Sequence, residues 1–351
     1  MASSGALKLN LTNNTDSPRN KTNLGNATLF KNVEVYVHVI FSVILMIVII
    51  VGNLLVMAAY KKNRRLRTGT YTLLVSLALC DFLVGSVSVP MWINMSLRNW
   101  QAPALFVTFF MAIDYFTALS SALHLTVICL ERWLAISKPF LHLTFTKQQY
   151  SITIACVWLV GLFVSALVFV PVVKHNNQTY ILVLVIVGFV MPMVIISLVK
   201  VYIFKVAQKL IQQEPTASGD SGPGNERRRK VQKERRTAKT LVIITALFFF
   251  ELLPTYILAL VGGFCLRDCI YKMSWNEIRR LMDFAKWIQY SNSGINPFIY
   301  AFRDAEMRKT FRRISVRAMT FRRPFSAVIN IGSQSENHAA NINNSAAIAH
   351  I

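Results

Sequence analysis

The chain has 351 residues, 54% hydrophobic and only 15% charged, with 38 Lys and Arg against 16 Asp and Glu for a formal net charge of +22. So little charge over such long apolar runs excludes an ordinary soluble domain and points to the membrane class. The basic excess would suit nucleic acid, but these residues fall between the apolar runs. There they read as an orientation signal and as contacts to membrane lipids, so no nucleic-acid partner is expected.

Residues 1–33 are polar, rich in Asn and Thr, and lack the apolar stretch of a cleaved signal peptide. Sequons at Asn10, Asn13, Asn20 and Asn26 mark them as a glycosylated extracellular tail. Seven apolar segments follow, near 34–60, 70–95, 104–136, 149–171, 179–208, 236–262 and 278–301. Backbone polar groups in hydrocarbon must be satisfied within each segment. The expected fold over 34–301 is therefore all-α, a seven-helix transmembrane bundle.

The connectors alternate in character. Those at 61–67, 137–148 and 209–235, and the chain beyond 302, are rich in Lys and Arg; those at 96–103, 172–178 and 263–277 are not. Sequons recur on the second side, at Asn94 and Asn177. Both signals put the N-terminus outside and the C-terminus in the cytoplasm, at the plasma membrane. Beyond Tyr300, residues 302–314 place Phe302, Met307 and Phe311 near one face with basic residues opposite, the pattern of an amphipathic interfacial helix. Residues 315–351, rich in Ser, Asn and Ala, read as a disordered tail. Cys80, Cys129 and Cys156 sit inside apolar runs as small hydrophobes, and no metal-ligand spacing appears.

Segment 104–136 stands out. It spans a bilayer yet carries Asp114 in its outer half and Glu131-Arg132 at its inner end. A carboxylate inside a spanning helix is costly, so it marks a functional site. Asp114 and Arg132 are five helical turns apart on one face, about 27 Å at about 1.5 Å per residue. One helix thus links an outer acid to an inner base.

Further motifs occur in order along the chain: GNLLV at 52–56, LALCD ending at Asp81, Glu131-Arg132-Trp133, KPF at 138–140, Trp158, Pro192, FFFELLP ending at Pro254, and NPFIY at 296–300. This ordered set resembles the rhodopsin-like (class A) G-protein-coupled receptors over about residues 34–314. The resemblance implies a non-enzymatic receptor that drives nucleotide exchange on a heterotrimeric G protein, with arrestin and receptor kinases as further partners. It implies that Glu131 and Glu234 hold Arg132 in the inactive state, and that Phe248, Pro254, Asn296, Pro297 and Tyr300 carry the activation motifs. It also implies a sodium pocket of Asp81, Ser121, Asn292 and Asn296. A buried carboxylate with three neutral oxygen-bearing partners suits a hard monovalent cation or a proton, and a closed hydrogen-bond network without an ion is the rival. The chain departs from the family at Trp133, Glu251, Leu252, Lys200 and Ala122, where tyrosine, cysteine, tryptophan, tyrosine and a bulkier residue are usual.

At the outer end, Asp114 matches the aspartate with which biogenic-amine receptors hold a ligand ammonium, and Trp287 and Tyr290 match two more residues typical of that group. Lys286 offers the alternative of an internal ion pair with Asp114, which a ligand must displace. Leu184, Val185 and Gly188 stand where catecholamine receptors present serines. Neither 98–110 nor the loop before Tyr180 holds a cysteine, so the bridge usual in the family is missing; Cys265 and Cys269 are implied to close the third outer loop instead. That loop pattern is similar to melanocortin and cannabinoid receptors, which keeps a peptide or lipid ligand open beside the favoured small amine. An ion transporter is the rival from another class, because Asp81, Asp114, Glu251 and Lys286 are all intramembrane.

Overall fold

The computed structural model describes residues 18–98, 100–170, 177–212, 249–265 and 273–320. Asn10, Asn13, Glu234, Phe248 and Cys269 lie outside them, as do the side chains of Asn20, Asn26 and Asn177. Every regular element among the described residues is helical. α1 is Pro18–Lys62. Gly69–Leu83 (α2) passes through a π-helical turn at Val84–Ser88 into Val89–Leu97 (α3). α4 is Ala104–Ser137, α5 Pro139–Leu143 and α6 Lys147–Ala166. Asn177–Val185 (α7) passes through a second π-turn at Ile186–Val190 into Met191–Gln212 (α8). α9 is Phe249–Phe264, α10 Trp275–Arg303 and α11 Ala305–Thr320.

Local chemistry explains several boundaries. The π-turns lie just before Pro90 and Pro192. A proline ring clashes with the carbonyl four residues back and removes a donor, and widening the helix there relieves both. α6 opens on a capping box, with Thr146 N–H donating to Gln149 Oε1 at 2.8 Å. α10 opens on another, with Ser274 N–H donating to Glu277 Oε2 at 2.7 Å.

Five stretches among the described residues are long and apolar enough to span a membrane: Val33–Lys62, Gly69–Leu97, Ala104–Ala135, Lys147–Phe169 and Gln178–Tyr202. Leu54, Phe163 and Leu198 stand exposed along them, as expected of helices solvated by lipid rather than water. α9 supplies a further apolar helix. α10 carries Glu277, Arg279, Arg280, Asp283 and Lys286 in its outer half, so it cannot face lipid all round.

α4 packs against α2, α6 and α8, while α1 packs against α2 and α10. α1 and α10 meet closely: a Cβ on Gly52 would lie 2.9 Å from Cγ of Pro297. At the outer rim Trp100 takes a left-handed conformation, φ 64°, while its N–H closes the end of α3 on the Met95 carbonyl at 2.9 Å. Such a φ is strained for a bulky residue. Edge-on packing against Trp92 at 4.8 Å and Trp275 at 6.3 Å holds it in place.

Two boundaries differ from the sequence reading. α1 begins at Pro18, inside the stretch read as tail. The interfacial helix starts at Ala305 rather than 302 and continues to Thr320, past the expected end at 314. Asp304 is the reason: its Oδ1 accepts from the backbone N–H of Glu306 at 2.8 Å and Met307 at 3.1 Å, breaking α10 from α11. Met307 and Phe311 are buried against Val56, Ala59 and Leu66, whereas Phe302 is 82% exposed and off that face.

Substituting Gly52→Ala should therefore lower the thermal stability of the solubilised protein, by about 1–3 kcal/mol for overpacking against a rigid ring. Gly294→Ala, whose Cβ would meet nothing closer than 3.5 Å, should leave the melting curve unchanged.

Candidate functional site

Three polar stations lie along α4. At the inner end, Glu131 is buried and its Oε1 accepts from Thr70 Oγ1 at 2.7 Å, His142 Nε2 at 2.8 Å and Tyr150 Oη at 3.4 Å. Its other oxygen lies 3.4 Å from Nε of Arg132, whose side chain is 44% exposed. The carboxylate is thus gripped from α2, α5 and α6 while Arg132 stays at the cytoplasmic surface.

In the middle, Asp81 is fully buried on α2. It accepts from Ser293 at 2.8 Å, Asn296 at 2.8 Å and Ser121 at 3.5 Å. Asn292 makes no hydrogen bond to the carboxylate. It shares with Ser121 and Ser293 the lining of a gap of about 10 Å³, about the smallest space that holds one water. Hard oxygen donors around a carboxylate suit a small cation of low polarisability. One turn further in, Trp158 Nε1–H donates to Ser76 Oγ at 2.9 Å, Ser76 meets His124 Nε2 at 2.8 Å, and His124 Nδ1 meets the Ser120 carbonyl at 2.7 Å. Facing a carbonyl, His124 Nδ1 donates, and the Ser76 hydroxyl, with one donor and two lone pairs, can meet both Trp158 and Nε2.

At the outer end, Asp114 is 2% exposed. Lys286 Nζ donates to its Oδ2, and Tyr290 Oη donates to its Oδ1 at 2.8 Å. Gln289 Oε1 accepts a second bond from Lys286 at 2.9 Å, and the ammonium lies 6.0 Å from the Trp92 ring centroid and 5.7 Å from that of Tyr290. Lys286, Gln289 and Tyr290 are spaced i, i+3, i+4 and so share one face of α10.

The chain matches the family described as 7 transmembrane receptor (rhodopsin family) over residues 52–300. It belongs to that family. The receptor is similar to trace amine-associated receptor 8c of Mus musculus, 29% identical over 288 residues that cover 75% of this chain and 81% of that one. Human trace amine-associated receptor 8 is 28% identical over 285 residues (75% and 81%), and human trace amine-associated receptor 6 is 29% identical over 289 residues (75% and 80%). The family is one of class A G-protein-coupled receptors rather than of enzymes or transporters.

The receptor's geometry departs from the sequence reading at Trp287. Its ring stacks on His38 at 5.3 Å and its Nε1–H donates to Ser42 at 3.1 Å, so it faces α1 and not Asp114. Successive helical residues diverge by about 100°, and Lys286 already occupies the inward direction. Trp92 supplies the aromatic wall instead. Thr70, His142, Tyr150, Ser293 and Gln289 are further contacts at these stations that the motifs do not point to; each comes from a segment whose register only the packing reveals.

Beneath Asp114 a cavity of about 30 Å³ is walled by Tyr115, Leu119, Ile181, Leu184, Val185, Leu252, Tyr256 and Ala259. Ala122 and Leu252, both departures from the family pattern, pack together at its base. Pro254 lies in α9, and Tyr300 packs beside Met307. Cys265 is disulfide-bonded, while Cys80, Cys129 and Cys156 are free thiols.

Because Ser293 bonds Asp81 and Asn292 does not, Ser293→Ala should destabilise the receptor by about 1–3 kcal/mol, the cost of an unmet bond at a buried polar group. Asn292→Ala should cost less in the same thermal-unfolding assay.

Proposed function

We propose that this receptor sits in the plasma membrane with its N-terminus outside, binds a small extracellular amine at Asp114, and activates a heterotrimeric G protein. The observation that carries the reading is the cage itself. Asp114, Tyr290, Gln289 and the Trp92 ring already surround an ammonium, that of Lys286. A site that holds one ammonium has the carboxylate, neutral oxygen and aromatic faces needed to hold another. The names of the similar trace amine-associated receptors point the same way.

In this reading a ligand ammonium displaces Lys286 and its apolar part presses on Ile181, Leu184, Val185, Leu252 and Tyr256. Those residues bridge α7 and α9, so ligand binding favours an outward position of the inner end of α9. At that end Arg132 is released from Glu131, and from Glu234 on the approach to α9, and engages the G protein. A sodium ion, held by Asp81 with Ser121, Asn292 and Asn296, would supply a countercharge that stabilises the inactive packing. Asn296, Pro297 and Tyr300 then act as the joint between that layer and α11, with Phe248 and Pro254 serving α9. Glycosylation at Asn10, Asn13, Asn20, Asn26 and Asn177, a Cys265–Cys269 bridge in the third outer loop, cytoplasmic contact with arrestin and receptor kinases, and lipid contact along α11 belong to the same reading.

The test is a panel of amines, peptides and lipids on cells expressing the receptor, read by cyclic-nucleotide and calcium outputs. Asp114→Asn should weaken an active amine by about 30-fold or more, matching the about 2–5 kcal/mol of a lost buried charge partner. An amine response that survives this change unaltered, or activity confined to peptides or lipids, would reject the binding mode. Glu131→Gln keeps the side chain's shape but removes its charge, and should raise signalling in the absence of any ligand at matched surface expression. An unchanged basal signal would reject the lock.

A further inference from the structure

The outer cage is full. Lys286 meets every group there that an amine would use: the Asp114 carboxylate, the Gln289 oxygen and the faces of Trp92 and Tyr290. The Asp114 side chain is buried at 3% exposed and that of Lys286 is largely covered at 13%, and they sum to zero charge. A simple monoamine that took Asp114 would leave two cations facing one carboxylate in a site shielded from water, where an unpaired charge is costly.

No other described acid is placed to take Lys286 over. Glu34 is engaged by Arg279 and Arg280, and Asp283 faces His38 at 3.6 Å on the side of α10 turned to α1. Glu251 is buried on α9 but does not line the cavity beneath Asp114, where Asp114 is the one carboxylate. The displaced ammonium therefore needs an anion that arrives with the ligand.

From this we infer that the ligand is a zwitterion of the free amino-acid type: an ammonium for Asp114, a neighbouring carboxylate for Lys286, and a compact apolar side group. The inference rests on the amine reading of Asp114 given above. On binding, one buried ion pair is exchanged for two, and net charge in the site is unchanged. Tyr290 keeps its bond to Asp114. Gln289, whose oxygen faces Lys286, has an amide nitrogen to offer the incoming carboxylate. The side group enters a cavity of about 30 Å³ walled by Ile181, Leu184, Val185, Leu252 and Ala259 and extended by the volume that the Lys286 stem vacates. Those walls favour a small aliphatic or single-ring group and provide no carboxylate for a second cation.

The experiment compares amino acids with the amines that differ from them only by loss of the carboxylate: L-leucine with isoamylamine, L-phenylalanine with phenethylamine, and L-tyrosine with tyramine. Each pair is applied to cells expressing the unaltered receptor, Lys286→Met, Lys286→Arg and Asp114→Ala, with surface expression matched. In the unaltered receptor at least one amino acid should be about tenfold or more potent than its amine, a margin of about 1.4 kcal/mol. Lys286→Met should reverse that order, and Lys286→Arg should preserve it. If an amine equals or exceeds its amino acid in the unaltered receptor, the zwitterion inference is overturned while the amine reading stands. If no compound of either class acts on any form, or if activity persists in Asp114→Ala, the amine reading fails and this inference falls with it. Should Lys286→Met not reach the surface, the comparison in the unaltered receptor and Lys286→Arg decides alone.

Discussion

The structure depends on one constraint: in hydrocarbon a polar side chain on α4 has no water to bond, so it must find its partner on another helix. α4 carries such groups at its outer end, middle and inner end. Asp114 is answered from α10, Ser121 reaches toward α2, and Glu131 is answered from α2, α5 and α6. The apolar contacts fill the bundle but do not choose its register, because one Leu or Val on lipid-like surroundings substitutes readily for another. The polar partners do choose it. A one-residue slip of α4 would turn each of its groups by about 100°, stranding Asp114 and Glu131 and taking Ser121 away from Asp81.

Close helix approach is what allows these short bonds. Gly161 of α6 lies directly over Ser120, where a Cβ would fall 2.2 Å from Oγ, and this brings α6 near enough for Trp158 to reach Ser76 across His124. The same logic holds at Gly69, over which the Tyr150 ring lies on its way to Glu131. Small residues and polar links work as a pair. The glycine sets the distance and the hydrogen bond sets the angle, a combination well suited to a membrane in which the hydrophobic effect gives helices little reason to associate.

Much of this was legible in the sequence. The apolar runs, the basic connectors and the ordered motifs are local signals, and five of the expected spans return, four with both ends within two residues and the fifth ending at Tyr202 rather than 208. The Asp114–Lys286 pair was foreseeable as an alternative because both residues are costly in a membrane. Directions around a helix were harder. Trp287 and Lys286 are neighbours in the chain, so only one can face the cavity, and nothing local says which. Ser293 was passed over for Asn292 for the same reason. The partners of Glu131 were illegible because Thr70, His142 and Tyr150 come from three separate segments that meet only after packing. The start of α11 was missed for a smaller reason: Asp304 reads as one more charge in a basic stretch until its carboxylate is seen capping Glu306 and Met307.

Trp100 has a consequence for how the receptor matures. The outer end of α4 lacks the cysteine that commonly staples this region, and the rim is joined by aromatic rings: Trp92 of α3 touches Trp100 and Phe110 of α4, and Trp100 touches Trp275 of α10. A staple of that kind forms when the helices dock and needs no oxidant. This part of the rim can therefore close before the chain meets an oxidising compartment, independently of the disulfide at Cys265. What loosens it is separation of the rings themselves, so this side of the rim answers to temperature and to the lipid pressing on α3 and α10, while the disulfide at Cys265 leaves the α9 side to redox conditions.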